Sequence, residues 1–316
     1  MNKKKLISFG IPCFNEELNV AKAYAELKKI AKKNSAYFYE YIFVDNGSSD
    51  NTRQEILKLT KNDKSVVGVF LSRNFGAEAS CQATIDMAKG DAMVGYECDM
   101  QDPPELILEF IKKWEKGYEL VIGVRKKTED NFFMSVARKT FYRIFRKIAN
   151  INIPVDAGGF SLMSRKAIDA LKLLPEKYRF YRGLRAWIGF KTVYIRYNRR
   201  QRKYGKSSYN FYDYINYAMR SFIGFSYVPL DVTIYAGLLL VFMSFVFILI
   251  YIIKFLLFGL PINNSIAIIF LITFFGGSQI LAISVIGKYI QVIIEETKNR
   301  PTYVIEEVIN NKTHSK

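Results

Sequence analysis

The first 124 residues alternate between short apolar runs and longer amphipathic segments. The apolar runs have the length and composition of strands and lie at residues 6–12, 41–45, 66–72, 92–97 and 119–124. Between them, apolar residues recur at helical spacing over residues 17–33, 52–62, 77–89 and 104–116. Strand and helix in alternation predict an α/β domain with a mostly parallel sheet and helices on both of its faces.

Two long uncharged runs lie near the C-terminus, at residues 232–253 and 266–287. At ~1.5 Å of rise per residue, a helix of this length crosses a hydrocarbon core of about 30 Å. A buried core helix is the alternative, but such helices rarely lack a polar face. The connecting segment carries only Lys254, whereas the opposite flanks are rich in Lys and Arg. The positive-inside rule therefore predicts a two-helix transmembrane hairpin with both termini in the cytoplasm.

The segment before the first predicted span has the composition of a helix that lies in the membrane interface. Over residues 207–229, Tyr and Phe alternate with polar residues. We therefore expect four parts along the chain. They are a cytoplasmic α/β domain at 1–206, juxtamembrane amphipathic helices at 207–230, the two spans within 231–288, and a cytoplasmic C-terminal tail at 289–316.

The charge distribution indicates a phosphate-bearing ligand or surface. The net charge is +17, and eleven Lys or Arg residues with no Asp or Glu lie between Lys177 and Lys206. Such a stretch should face phosphates on nucleic acid, lipid headgroups or a substrate. The three cysteines lack metal-site spacing and fit a reducing cytoplasm. The only histidine, His314, lies in the polar C-terminal segment, so chemistry that requires a histidine base is not expected.

Polar clusters follow the first four predicted strands. Their sequences are "PCFNEE", "DNGSSDNT", "RNFGAE" and "ECDMQD". A single cluster of this kind is often only a helix cap or a turn. Four of them at the carboxyl ends of neighbouring strands predict a ligand pocket of the kind that binds a nucleotide.

The stretch "YECDMQDPPE" places four acids within ten residues of this basic chain. Crowded like charges repel one another unless a cation lies among them. Glu97 and Asp99, two residues apart at a strand end, can hold a hard divalent cation that bridges a diphosphate. Asp102 and Glu105 flank two prolines and are expected to begin the next helix, where the helix dipole favours acids.

An ordered set of motifs resembles a known family. The set is "IPCFNEELN", "VDNGSSDNT", "LSRNFGAEA", "ECDMQDPPE", "DAGGFSLMSR", "RKYGKSSY" and "GKYIQVIIEETKNRPTYVI". Residues 5–210 resemble a family 2 glycosyltransferase domain of the GT-A fold. With its two predicted spans, the chain resembles polyisoprenyl-phosphate glycosyltransferases, which include bactoprenol glucosyltransferases and, more distantly, dolichol-phosphate mannose synthases.

The resemblance implies roles for residues that match the motifs. Asp99 matches the second acid of the family's DxD motif and is expected to be catalytic and to bind the metal, Mg²⁺ or Mn²⁺, with Glu97 at the first position. The residues expected to contact the nucleotide sugar are Pro12, Asn15, Glu16, Asp45, Glu97 and Gln101.

Two further motifs are expected to border the acceptor. Asp156 matches the first acid of the usual D-x-G-D-F, in which Gly159 replaces the second acid and Ser161 replaces a frequent arginine. Arg202 matches the basic residue of R-x-x-G-x-S, and Asp156 and Arg202 are expected to be catalytic. The residues expected to bind the acceptor phosphate are Arg125, Arg138, Lys206, Ser207 and Tyr209.

The resemblance implies inverting transfer of a sugar from a nucleotide-diphosphate donor, UDP-glucose or another UDP-hexose, to undecaprenyl phosphate. It further implies a multi-pass enzyme of the bacterial inner membrane with its catalytic domain on the cytoplasmic side, capable of forming homo-oligomers. No nucleic-acid partner is expected, because membrane spans and an ordered pocket are unlike a nonspecific nucleic-acid binder.

Three alternatives remain open from the sequence. A GDP-mannose enzyme like dolichol-phosphate mannose synthase shares the same motifs. A non-catalytic membrane scaffold is consistent with the departures at Glu97, Gly159 and Ser161. A processive polysaccharide synthase is disfavoured, because "FYRGLRAW" at 180–187 lacks the Q-x-x-R-W pattern and two spans form no conduit.

Overall fold

The computed structural model describes residues 4–126, 157–177, 179–200, 226–258 and 265–310. Within these ranges, eight strands form one sheet in the order β7-β5-β6-β4-β1-β2-β3-β8. The strands are β1 Leu6–Cys13, β2 Phe38–Asp45, β3 Val66–Leu71, β4 Ala92–Gly95, β5 Leu120–Arg125, β6 Ala157–Ser164, β7 Thr192–Tyr197 and β8 Ile305–Ile309. The helices are α1 Val20–Lys33, α2 Thr52–Asn62, α3 Ala77–Met87, α4 Leu106–Glu115, α5 Arg165–Leu173, α6 Tyr181–Trp187, α7 Val228–Phe258 and α8 Ser265–Thr297.

The centre of the sheet is parallel, as the alternating pattern predicts. Strand β1 pairs in parallel with β2 and β4, and β2 pairs in parallel with β3. The central strands are buried almost throughout, which is typical of a parallel sheet covered on both faces. In α1, Val20, Ala23, Leu27 and Ile30 form one buried stripe against the sheet, as expected for an amphipathic helix. The mostly parallel α/β domain is therefore confirmed.

Strand β6 is an antiparallel insertion that the hydrophobic pattern did not predict. It pairs antiparallel with both β4 and β5, so it separates two strands that follow each other in the chain. Its sequence "AGGFSLMS" contains two glycines and two serines, which weaken a strand signal. The insertion places Gly158 and Gly159 next to the end of β4, where the acidic cluster begins.

Strand β8 is a second element that the sequence pattern did not predict. Residues 305–309 lie in the segment interpreted as a C-terminal tail, yet they pair antiparallel with β3 at the edge of the sheet. Arg53 on α2 forms ion pairs with Glu306 at 2.9 Å and with Glu307 at 2.8 Å. The Asn310 side-chain amide donates to the carbonyl oxygens of Thr60 and Val66. Residues 305–310 are thus fixed to the α/β domain.

Two long apolar helices lie between the α/β domain and β8. Helix α7 has 31 residues and α8 has 33, and many of their large apolar side chains are exposed. Within the part of the chain that the structure describes, one segment, Phe274–Thr297, meets the length and composition expected of a membrane span. The two-helix transmembrane hairpin is therefore not confirmed and stays a prediction.

Candidate functional site

The loops after β1 and β2 form one interlocked surface at the carboxyl edge of the sheet. The backbone N–H of Asn15 donates to the Ser48 hydroxyl at 2.9 Å, and the Asn15 side chain accepts from the Ser49 N–H at 2.9 Å. The N–H of Glu16 donates to the Thr52 hydroxyl at 2.8 Å. These bonds hold Asn15 and Glu16, both predicted to contact the nucleotide, against the loop that follows β2.

Asp45 ends β2 and is almost fully buried behind this surface. Its carboxylate accepts a hydrogen bond from the Ser48 N–H at 3.1 Å. Burial raises the pKa of Asp45, and the hydrogen bonds from Ser48 oppose that shift. Pro12 lies beside Val44 in the register of β1 and β2. The two predicted nucleotide residues Pro12 and Asp45 are therefore on neighbouring strands at the same edge.

The carboxylates of Glu97 and Asp99 both contact the same guanidinium nitrogen. Nη2 of Arg199 lies 2.9 Å from Glu97 Oε2 and 3.1 Å from Asp99 Oδ2. Arg125, at the end of β5, approaches the same Glu97 oxygen to 3.7 Å. The residues predicted to bind the metal thus converge, and the cation that offsets their charge here is a guanidinium.

Arg199 is a site residue that the sequence analysis did not single out. It lies within the basic stretch just after β7, in "YNRRQR", where several neighbouring arginines are equally plausible from sequence. The net excess of positive charge in this stretch was the only available signal. It predicted a phosphate-facing surface, whereas the structure turns Arg199 toward carboxylates.

Asp102 lies beneath the acidic cluster and is fully buried, and α4 begins only at Leu106, so the expectation that Asp102 begins this helix is wrong. The Tyr197 hydroxyl donates to Asp102 Oδ1 at 2.5 Å, and Arg199 Nε lies 3.8 Å from the same oxygen. Burial raises the pKa of Asp102 to about 7, and the charge of Glu97 adds to this effect. Asp102 is close enough to the cluster to change its electrostatics.

The expectation for Glu105 is confirmed. It directly precedes the first residue of α4, Leu106, and its carboxylate pairs with Arg200 at 2.9 Å. An acid at this position interacts favourably with the positive end of the helix dipole.

Gln101 connects the acidic loop to the segment that carries Arg199. Its carbonyl oxygen accepts from the Arg200 N–H at 2.8 Å. Its side-chain amide donates to the Arg200 carbonyl oxygen at 3.3 Å, and its own N–H donates to Asp99 Oδ1 at 3.1 Å. The predicted nucleotide-sugar residue Gln101 therefore positions both Asp99 and the basic segment.

The two departures from the resembled motif lie on β6 beside Glu97. A Cβ added at Gly159 would be 3.0 Å from Glu97 Oε1, so Glu97 occupies the space in front of that glycine. The Ser161 hydroxyl donates to the Gly159 carbonyl at 3.1 Å and accepts from Arg185 at 2.6 Å. Arg185 also donates to the Gly158 carbonyl at 2.7 Å, so this buried arginine supports the strand from behind.

Several predicted residues lie outside the described part of the chain. They are Arg138, Asp156, Arg202, Lys206, Ser207 and Tyr209. Their placement stays a prediction. Arg125 is described and lies beside the acidic cluster, with its guanidinium 3.4 Å from the position of a Cβ on Gly158.

The donor chemistry of the acidic pair fits a hard divalent cation. Across the described ranges, no group of three or more His, Cys, Asp or Glu side chains is arranged to hold a metal ion. Glu97 Oε2 and Asp99 Oδ2 nevertheless converge on one cationic atom within 3.1 Å. Mg²⁺ is commonly bound through one or two carboxylates together with substrate phosphates and water. Two converging carboxylates are sufficient protein ligands for such a site.

Comparison with known proteins establishes the family. The model described as "Glycosyl transferase family 2" matches residues 8–172. The chain is 36% identical over 301 residues to the SfII prophage-derived bactoprenol glucosyl transferase of Shigella flexneri, with 95% of this chain and 97% of the relative covered. It is 36% identical over 307 residues to the uncharacterized glycosyltransferase YkcC of Bacillus subtilis strain 168, covering 97% of this chain and 95% of the relative.

The chain belongs to glycosyl transferase family 2. Among solved structures, the mannosyltransferase PcManGT from Pyrobaculum calidifontis, in complex with GDP-Man and Mn²⁺, aligns with a TM-score of 0.47 and 12% identity. The alignment covers 70% of this chain and 64% of that one.

Proposed function

We propose that the protein transfers one sugar from a nucleotide-diphosphate donor to a polyisoprenyl phosphate, with inversion at the anomeric carbon. UDP-glucose or another UDP-hexose is the proposed donor, and undecaprenyl phosphate is the proposed acceptor. The observation that carries the proposal is the convergence of Glu97 and Asp99 on one cationic atom, at 2.9 and 3.1 Å, beside the strand-end loops of a family 2 chain.

The donor nucleotide is assigned to the surface formed by the loops after β1 and β2. Asp45 accepts hydrogen bonds from the base, and Pro12, Asn15 and Glu16 border the base and ribose. Gln101 lies beside the diphosphate, because its backbone already holds Asp99. The interlocked hydrogen bonds of these loops support this assignment, since a preformed surface loses little entropy when it binds a ligand.

A divalent cation, Mg²⁺ or Mn²⁺, is assigned to Glu97 and Asp99. When bound, it would neutralise charge on the departing nucleotide diphosphate. Asp102 is assigned a supporting role beneath this pair. It accepts a hydrogen bond from Tyr197 and lies near Arg199, and these contacts fix the shape of the acidic loop.

The acceptor phosphate is assigned to the basic residues around the second half of the domain. Arg202, Lys206, Ser207 and Tyr209 follow the described segment that ends at residue 200, and Arg125 and Arg138 lie on or after β5. Asp156 directly precedes β6 and borders the sugar and the acceptor. The donor and the acceptor are both anions and repel each other in water. The positive charges of these side chains would offset that repulsion and hold the two substrates together.

The proposed reaction needs no strong general base. A lipid monophosphate is already an anion at neutral pH, so its oxygen can attack the anomeric carbon directly. The new bond forms between that carbon and the lipid phosphate oxygen, and the bond to the nucleotide diphosphate breaks, leaving its electron pair on the departing diphosphate. This agrees with the only histidine lying at residue 314, in the polar C-terminal segment.

The catalytic domain is proposed to lie on the cytoplasmic face of the inner membrane, with α7 and α8 crossing the bilayer as a hairpin. The proposed spans are residues 232–253 and 266–287, preceded by interfacial helices at 207–230. Strand β8 supports this topology, because it follows α8 and belongs to the same sheet as β1. The Tyr289 hydroxyl donates to the Ser226 carbonyl at 2.7 Å, which joins the beginning of one helix to the end of the other.

The proposal is tested with membranes that contain the full-length protein, undecaprenyl phosphate, Mn²⁺ and a panel of labelled nucleotide sugars. We expect label in a lipid product with a UDP-hexose. Label from GDP-mannose alone would favour the mannose-transferring alternative. If no nucleotide sugar gives a lipid product, the enzymatic proposal fails and the scaffold interpretation replaces it.

A further inference from the structure

Arg199 occupies the position at which the two metal-binding carboxylates converge. Its Nη2 atom contacts Glu97 Oε2 at 2.9 Å and Asp99 Oδ2 at 3.1 Å, and its Nε lies 3.8 Å from Asp102 Oδ1. Without a cation there, three carboxylates on one short loop would repel one another. The guanidinium therefore accounts for how this loop keeps its shape before any substrate arrives.

The backbone holds Arg199 in this position. The next residue, Arg200, is joined to Gln101 by two hydrogen bonds, from Arg200 N–H to Gln101 O at 2.8 Å and from Gln101 Nε2 to Arg200 O at 3.3 Å. The Arg200 side chain pairs with Glu105 at 2.9 Å. These contacts fix the backbone next to Arg199 and so hold its side chain close to the acids. A long side chain on a mobile surface segment would instead sample many partners.

A divalent cation and this guanidinium need the same two oxygens. Both are positive, so they repel when they approach to hydrogen-bonding distances in a partly buried site. The side chain of Asp99 is 12% exposed and that of Arg199 is 23% exposed, so water screens the repulsion incompletely. Metal binding at Glu97 and Asp99 therefore requires Arg199 to move or to give up at least one contact.

We propose that Arg199 is a positioning residue that holds Glu97 and Asp99 in the metal-free enzyme and competes with the divalent cation for them. The inference rests on the metal site of the proposed function. Its consequence is weak binding of the metal alone and stronger binding of the metal together with a nucleoside diphosphate, whose negative charge attracts both the metal and the displaced guanidinium.

The test measures Mn²⁺ binding to the detergent-solubilised full-length protein by electron paramagnetic resonance, without nucleotide or lipid. Arg199→Gln removes the competing charge and should tighten Mn²⁺ binding by about tenfold. Arg199→Lys keeps the charge and should stay within about threefold of the unmodified protein. Arg200→Gln is the matched control, because it removes a neighbouring positive charge that pairs with Glu105 but keeps both backbone hydrogen bonds to Gln101. It should change the affinity by less than about twofold. Thermal unfolding of each variant checks that it folds.

The outcomes separate this inference from the proposed function, because the assay contains no sugar donor or acceptor. Unchanged or weaker Mn²⁺ binding in Arg199→Gln would overturn the competition, and so would an equal gain in Arg200→Gln. The double variant Asp99→Asn with Arg199→Gln should lose the gained affinity, and retention of tight binding would show that the cation lies elsewhere. If Arg199 is instead only a phosphate ligand, its loss weakens UDP binding and leaves binding of Mn²⁺ alone unchanged, which also overturns the inference.

Discussion

Asp99 and Glu97 differ in how firmly the protein holds them. The side chain of Asp99 is 12% exposed and accepts a hydrogen bond from the Gln101 N–H, whereas the side chain of Glu97 is 38% exposed. The longer and more exposed Glu97 can adjust its carboxylate, while Asp99 has a fixed direction. At the proposed metal site we therefore expect Asp99 to be the main ligand and Glu97 to be the adaptable one.

Asp99→Asn should lower the transfer rate by at least about a hundredfold, because removal of one charged ligand weakens stabilisation of the leaving diphosphate. The measurement is the initial rate of lipid labelling in membranes with equal amounts of each protein. Asp169→Asn is the control, because Asp169 is an exposed acid on α5 that pairs only with Arg165 on its own helix in the described contacts. Equal rates for Asp99→Asn and Asp169→Asn would contradict the assignment.

Gly159→Asp should impair the enzyme, although the resembled motif has an acid at this position. The new Cβ would lie 3.0 Å from Glu97 Oε1, so a second carboxylate would be forced against the first. Shortening Glu97 to Asp in the same chain should relieve this conflict. We therefore expect the double variant Glu97→Asp with Gly159→Asp to be more active than Gly159→Asp alone in the same transfer assay. Additive losses in the double-mutant cycle would show that the two positions are not coupled.

At the scale of elements, the regular part of the fold was predictable and the insertions were not. Helix α2 begins and ends where the apolar spacing predicts, at Thr52 and Asn62, since it packs one stripe on the sheet. Strands β6 and β8 were missed because "AGGFSLMS" and "IEEVI" carry little strand signal on their own. Each segment becomes a strand because it pairs with the edge of another strand. Pairing between segments that are distant in the chain does not produce a periodic pattern of apolar residues.

The candidate site shows the same division. The placement of Glu97, Asp99, Gln101 and Asp45 at one edge of the sheet was predictable, since each ends or follows a predicted strand and the carboxyl ends of parallel strands meet at one edge. Arg199 was not, because its partners lie about a hundred residues away in the chain. The partner that satisfies the buried Asp102 is also distant in the chain: the hydroxyl of Tyr197 on β7 donates to it.

Deletion of β8 should destabilise the α/β domain and expose the edge of β3. A chain that ends after Tyr303 loses the pairing with β3 and the ion pairs of Arg53 with Glu306 and Glu307. An unpaired edge strand promotes association between chains. We expect a lower thermal midpoint and larger species in size-exclusion chromatography than for a chain that ends after Asn310, which keeps the strand. Identical behaviour of the two truncated chains would show that β8 contributes little.

Asp63 provides a pH-dependent contribution to the stability of the α/β domain. Burial alone would raise its pKa, but hydrogen bonds from Lys28, Ser65 and Tyr24 outweigh that effect and hold the pKa well below its usual range. Because the folded pKa is lower than the unfolded one, this stability is fully present above about pH 4 and is lost as the pH falls further.

Asp63→Asn should therefore cost about 1–2 kcal/mol at pH 7, and the difference from the unmodified protein should shrink as the pH is lowered from 4 to 3. The measurement is the thermal midpoint of both proteins across this range. Asp169→Asn serves again as the control, because an exposed ion pair contributes little. A destabilisation that is the same at every pH would mean that the charge of Asp63 is not responsible.

For the molecule as a whole, one sheet holds both the first and the last strand of the described chain. Strand β1 lies at its centre and β8 at its edge, and the two apolar helices leave this body and return to it. The N–H of Lys177 donates to the carboxylate of Glu296 at 2.9 Å, which connects the α/β domain to the last turn of α8. If α7 and α8 cross the bilayer, these contacts hold the carboxyl edge of the sheet at a fixed position relative to the membrane surface.

Mass spectrometry of the lipid product shows whether the protein transfers a single sugar to a lipid monophosphate. The purified full-length protein is incubated with undecaprenyl phosphate, Mn²⁺ and the nucleotide sugar that gives label in membranes. We expect a lipid whose mass exceeds that of undecaprenyl phosphate by one hexosyl residue and which retains a single phosphate. A lipid that carries two phosphates, a ladder of several sugars, or no glycosylated lipid with any donor would contradict it.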